Sequence, residues 1–244
     1  MPRRALSNVQ LALLVLATFM LGALAGLQYA PSLEEQQLPA ETGGVHMVVP
    51  AVDENGKGVP TDLHVDIREG SGKVLANIDQ LLFITDTQQS IQVARDVAAN
   101  ITRRDTRNVD IIYSVTVPPN VSIVGGPSAG AALTIATIAA LQGKQLKEGV
   151  SITGTINLNG TIGEVGGVTE KAKAAKARSI SLFLVPVGEG TETLVKPVER
   201  CHEESGYTYC ETVYERSTIN VGSTIGLDVR EIRNIREAEP YFGL

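Results

Sequence analysis

The chain reads as a mixed domain of strands and helices behind an apolar amino-terminal segment. Three observations predict this. Residues 47–67 hold a strand-turn-strand pattern, residues 87–102 switch to helical period, and two glycine-bearing turns each open a further helix. At 244 residues and 43% hydrophobic content, the chain is long enough for one sizeable core.

The first 33 residues stand apart, because after Arg3 and Arg4 no charge appears until Glu34. Residues 9–27 are apolar except for Gln10 and Thr18, and as a helix they reach across a bilayer. Basic residues ahead of this run favour a cytoplasmic amino end with the remainder translocated. Ala23-Leu24-Ala25 before Gly26 also has the form of a signal-peptidase site. Residues 1–29 are therefore expected to be a signal anchor or a cleaved signal peptide. The expected location is a single-pass membrane protein with its domain outside the cytoplasm, or a secreted one. Residues 30–44, with two Pro, three Glu and no apolar period, read as a tether, and 45–244 as the domain.

Residues 47–52 form the first predicted strand, followed by a polar turn from Asp53 to Gly58. Leu63, Val65 and Ile67 then alternate with His64, Asp66 and Arg68, as in a half-buried strand. A turn at Gly70-Ser71-Gly72 precedes another strand. In 87–102, Ile91, Ala94, Val97, Ala98 and Ile101 share one helical face, with Gln88, Gln92, Arg95 and Asp96 opposite. Residues 109–117 are β-branched and apolar, a buried strand ended by Pro118-Pro119. The predicted helix 129–141 has no charged face and must be buried nearly all round. Short strands are expected over 150–155 and 156–162, then a helix over 168–178 and a buried strand over 182–187.

Chemistry concentrates in two glycine-rich turns. Ser128 lies in Gly125-Gly126-Pro127-Ser128-Ala129-Gly130, and Lys171 follows Gly166-Gly167-Val168-Thr169-Glu170. Each residue sits near a helix start, where backbone N–H groups point outward. A serine hydroxyl needs a base, and neither motif holds a histidine. Desolvation and the positive end of a helix both disfavour an ammonium, so Lys171 is placed to act as a neutral base. It shares a face with Val168, Ala174 and Ala175, while Lys173 and Lys176 point elsewhere. The plain alternatives are a capping serine and a solvated lysine.

These motifs and the pattern between them resemble the proteolytic domain of Lon protease, across most of residues 45–242 and most strongly over 121–186. The resemblance implies a two-layer α+β fold with mixed β-sheets and packed helices. It implies a serine endopeptidase with Ser128 as nucleophile, Lys171 as general base and Thr153 as a hydroxyl beside the lysine. It also implies peptide or unfolded-protein substrates, an acyl-enzyme, no metal or cofactor, and homo-oligomeric rings. The chain departs where the family has Asp-Gly before Pro-Ser, since Gly125-Gly126 stand there. It also carries no ATPase module, so the expected activity is independent of ATP. Beyond residue 187 an extra polar segment surrounds Cys201 and Cys210 before the pattern resumes over 227–242.

Cys201 and Cys210 are the only cysteines, and an oxidising exterior lets them close a small loop as a disulfide; two free thiols are the alternative. With three scattered histidines, they leave no credible zinc set. A net charge of −6 and no basic stripe argue against nucleic acid. Two other readings remain open: an inactive binding or assembly module of the same fold, and a nucleotide site like that of GHMP kinases. Against the second, Gly56-Lys57, Gly72-Lys73 and Gly143-Lys144 all lack the Ser/Thr of a phosphate loop, and an exported domain lacks ATP.

Overall fold

A computed structural model describes residues 44–77, 81–82, 85–119, 123–124 and 126–244, and before them only Leu16, Thr18 and Met20, which are helical. The chain divides into the units Met1–Glu41 and Thr42–Leu244. The anchor and tether expected over 1–44 lie outside the described residues apart from those three and Gly44. No helix of the described residues is long and apolar enough to cross a membrane.

The Thr42–Leu244 unit is a mixed α+β structure. Strand β1 (Val45–Val52) turns through Asp53, whose Oδ1 accepts the amides of Asn55 and Lys57, into β2 (Gly58–Glu69). The antiparallel register runs from Val45 opposite Val65 to Val52 opposite Gly58. Strand β3 (Val74–Asn77) and the short β4 (Leu81–Leu82) lead to α1 (Thr85–Thr102). Strand β5 (Val109–Thr116) then enters between β2 and β3, completing a sheet of order β1-β2-β5-β3. Its inner face carries Val45, Met47, Val49, Leu63, Val65, Ile111 and Tyr113, all in the main core. Helix α1 adds Ile91, Ala94, Val97 and Ala98 to that core, the face its periodicity marks.

After β6 (Ile123–Val124), paired with β4, a short 3₁₀ turn (Pro127–Ala129) opens α2 (Gly130–Gln142). Everything in α2 from Gly130 to Ala139, and Leu141, is buried. It packs on α1, on β1 and β2, and on two of the strands that follow, β7 (Val150–Ile152) and β8 (Thr155–Ile156). Strand β8 pairs with β9 (Ile162–Gly163), and α3 (Val168–Ala177) and β10 (Leu182–Pro186) come next. After the polar segment come α4 (Val221–Ile225), β13 (Asp228–Ile232) and α5 (Ile235–Phe242). Strands β13, β10 and β7 form a second, parallel sheet in that order.

The extra polar segment around Cys201 and Cys210 is a regular hairpin. Strands β11 (Thr191–Glu204) and β12 (Tyr207–Asn220) pair antiparallel over 14 residues each. They reverse at Ser205 and Gly206, both with positive φ (52° and 80°). Two adjacent left-handed residues make a turn whose twist matches that of paired strands. Cys201 and Cys210 stand opposite one another and their sulfurs are bonded. A two-stranded ribbon is marginal in water, so a cross-strand bridge contributes disproportionately to its order. Closing so short a loop is worth up to about 3 kcal/mol. Reduction is expected to raise amide hydrogen exchange across the hairpin tip while β1, β2 and β5 stay protected; equal loss of protection in that sheet would refute a local role for the bridge.

Candidate active site

Ser128 sits in the 3₁₀ turn, preceded by extended Gly126 (φ −163°). Its carbonyl accepts two hydrogen bonds from the β7–β8 connection, from Gly154 N at 2.9 Å and from Thr153 Oγ1 at 3.2 Å. The serine turn is thus stapled to the connection that follows β7 by backbone as well as side chain. Close approach here requires Gly130: a Cβ at this position would lie 2.6 Å from Ile156 Cγ2 and 2.9 Å from Ile156 N. Backbone cannot step aside as a flexible side chain can. Gly130→Ala is therefore expected to destabilise by about 1–3 kcal/mol. Unchanged urea denaturation of this variant would show that α2 and β8 part freely.

Lys171 lies in the first turn of α3, its amide bonded to the carbonyl of Gly167 at 3.0 Å. Gly167 is the N-cap residue and adopts the left-handed region (φ 68°) that favours glycine. The Lys171 side chain is only 2% exposed, and it is the one charged residue buried among those described. Its Nζ donates to Thr153 Oγ1 at 3.4 Å. Because the Thr153 hydroxyl proton points to the Ser128 carbonyl, the oxygen is left as acceptor for the amine. Thr153 therefore joins the two segments. Lys173 is exposed and paired with Glu170, and Lys176 donates to the Ile225 carbonyl, so neither competes for the interior.

Burial lowers the Lys171 pKa from 10.5 to about 8, opposed by the negative charge of Glu189. A substantial fraction of the amine is then neutral near physiological pH, which a free lysine would not allow.

Ser128 and Lys171 both line one cavity of about 660 Å³. Its walls include Val49, Leu63, Ile91, Tyr113, Val115 and Leu133. The Tyr113 hydroxyl is engaged by Thr137 Oγ1 at 2.7 Å, and Thr61 Oγ1 donates to the Val49 carbonyl at 2.6 Å. These polar atoms are occupied within the wall, so the chamber presents mainly hydrocarbon.

The helix start supplies fewer amides than expected. Gly130 N bonds to Pro127 O, and Ala131 N to Gly154 O at 3.0 Å. Donors for an oxyanion must therefore come from amides ahead of Gly130. Gly125, where the chain departs from Asp, is outside the described residues.

A histidine–carboxylate pair does occur: His46 Nε2 lies 2.8 Å from Asp62 Oδ1, which also binds Arg178. Neither His46 nor Asp62 lines the cavity of Ser128, so the pair is not placed to serve that serine. Among the described residues, the one grouping of metal-type ligands is Glu199 with Cys201 and Cys210. Their sulfurs are bonded to each other and offer no thiolates.

The sequence motifs did not reveal Glu192 or Glu189. Glu192 Oε2 accepts from Thr169 N at 3.3 Å and from Thr169 Oγ1 by a short bond, and Glu189 Oε1 accepts from Val165 N at 3.4 Å. Both come from the polar segment after β10, and no local pattern signals a partner so distant in sequence.

Comparison with known proteins decides the family. Residues 40–215 match the model of the Lon protease (S16) C-terminal proteolytic domain. The chain belongs to this family. A Lon protease of Lawsonia intracellularis is 36% identical over 101 residues, covering 41% of this chain and 12% of that protein. One from Vibrio parahaemolyticus is 36% identical over 103 residues, again 41% of this chain but 13% of the relative. A Lon protease of Fusobacterium nucleatum aligns over 156 residues at 28% identity, covering 62% of this chain and 18% of its own. The chain thus spans less than a fifth of each of these Lon proteases. The family match includes both motif helices and ends inside β12, so β13 and α5 lie beyond it.

Proposed function

We propose that the Thr42–Leu244 unit is an ATP-independent serine endopeptidase acting through Ser128 and Lys171. The observation that carries this reading is the buried Lys171 amine, held by Thr153 in the cavity that Ser128 also lines. Neutral Lys171 takes the hydroxyl proton as Ser128 Oγ attacks the scissile carbonyl. The tetrahedral oxyanion is received by backbone amides ahead of Gly130, each donor contributing on the order of 3 kcal/mol. Lys171, now an ammonium, gives its proton to the departing amine and leaves an ester on Ser128. A water, deprotonated by the same lysine, then releases the acid and restores the serine.

The hydrocarbon walls favour substrates with an apolar side chain near the scissile bond, since a charge held against them would lose hydration. Substrates are peptides, flexible loops or unfolded proteins, whose extended backbone can enter the cavity that Ser128 lines. Nucleotide is not needed, because the sequence carries no phosphate loop and, among the described residues, Lys171 is the one cation lining the cavity. The unit works outside the cytoplasm, tethered by residues 1–29 or released from them. Arg3-Arg4 ahead of an apolar run and the bonded cysteines support that location. Assembly into homo-oligomeric rings follows from the family likeness.

A serine-reactive phosphonate tests the central claim. The full chain should acquire one adduct, mapped to Ser128 by peptide mass spectrometry, and should cut casein at a rate indifferent to ATP and magnesium. Absence of both labelling and cleavage would leave a binding module of the same fold. Acceleration by ATP would reveal a nucleotide site in this unit.

A further inference from the structure

The helix that carries Lys171 begins without a cap of its own. Gly167 has no side chain to bind the open amides of the first turn of α3. That role falls to Glu192 at the root of the hairpin, whose carboxylate binds both the amide and the hydroxyl of Thr169. An anion there also suits the positive end of the helix. In the turn before β11, Glu189 binds the amide of Val165, within the loop of Val165, Gly166 and Gly167 that lines the cavity. The root is itself anchored: Gly190 N donates to Glu231 Oε1 at 3.0 Å, and Val221 N donates to Gly190 O at 3.0 Å. Val221, the first residue after β12, is buried in one cluster with Val168, Ala172 and Ala175 of α3. Both ends of the hairpin therefore hold the same helix.

We propose that Glu192 and Glu189 are positioning residues for Lys171, through which the root of the hairpin sets the first turn of α3 and the loop ahead of it. This rests on the peptidase reading above. The need for such support is geometric. The amine has a long 3.4 Å bond to Thr153, so its aim at Ser128 depends on where the backbone of the first turn is held. Displacement of a reacting group by about 1 Å can cost on the order of a hundredfold in rate. Glu189 has an electrostatic effect as well, because its charge acts on Lys171. Other carboxylates nearby are Glu170, paired with Lys173, Asp62, paired with Arg178 and His46, and Glu164 on the cavity wall.

The experiment compares the full chain with Glu192→Ala, Glu192→Gln and Glu189→Gln, reading kcat and KM for an apolar peptide from pH 6 to 10. Intact mass confirms the bonded cysteines in each. Glu192→Ala should lose about tenfold to a hundredfold in kcat with KM within about twofold. Glu192→Gln keeps an acceptor oxygen for Thr169 and should recover most of that loss. Glu189→Gln removes a negative charge that favours the ammonium, so the midpoint of its pH–rate profile should move down while that of Glu192→Gln stays in place. An active parent with Glu192→Ala at parental kcat overturns the positioning role alone. So does a Glu192→Ala variant whose rate falls only in proportion to its folded fraction in a melting curve. A parent that neither cleaves peptide nor takes up the phosphonate overturns the peptidase reading, and the positioning role with it.

Discussion

Lys171→Arg is expected to hydrolyse peptides at less than about one ten-thousandth of the parental kcat, and Ser128→Ala to fall as far. The serine supplies the only hydroxyl that can carry the acyl group in this mechanism. The lysine must accept its proton, and guanidinium gives up no proton at usable pH. Arginine keeps the positive charge, so the comparison separates a base from a merely electrostatic group. Lys171→Met, closer to lysine in volume and shape, should be equally inactive and guards against the objection that arginine does not fit. Circular dichroism establishes that each variant is folded, and a fluorogenic peptide with an apolar residue at the cleavage point gives the rate. An arginine variant with a tenth of parental turnover would sink the base assignment.

The pH at which Lys171 loses its proton should govern both rate and stability. Burial lowers its pKa from 10.5 to about 8, so kcat should rise with pH and level off above about 8. For stability the sign follows from proton counts. Below the folded-state value both folded and unfolded chains hold the proton, and above 10.5 neither does. Between the two, only the unfolded chain holds it, so folding stability rises with pH across that window, by about 3 kcal/mol in all. Burying a charged amine at pH 7 is thus a standing cost of the site. Lys171→Met removes it and should be more stable than the parent at pH 7 by about 1–3 kcal/mol, while losing the rise contributed by Lys171 between pH 8 and 10. Urea denaturation at pH 7, 8 and 10 measures both quantities. A methionine variant less stable than the parent at pH 7 would show that the amine is favourably solvated inside the fold.

Several elements are legible because their signals are local. Leu63 and Val65 are buried in β2 as their alternation indicates, and α2 is buried nearly all round because it has no polar face to turn outward. Helices α1 and α3 follow their apolar stripes, and Lys173 and Lys176 are exposed as their angular positions around α3 require. The hairpin escaped for the opposite reason. Most residues of β11 and β12 are exposed on both faces, so no period of two separates an inside from an outside. Its regularity comes from cross-strand pairing and the Ser205–Gly206 reversal, which a window of composition does not capture.

What the sequence by itself determined is the family, the α+β character and the local settings of Ser128 and Lys171, because a glycine-bearing turn at a helix start is encoded within a few residues. Tertiary structure decided the rest. It set the order of β13, β10 and β7, turned the Ala131 amide to Gly154, and brought Glu192 to Thr169. It also buried the Lys171 amine deeply enough to bring its pKa to about 8. Desolvation and hydrogen bonds between distant segments depend on which surfaces fold over one another, and no local stretch of sequence contains that information.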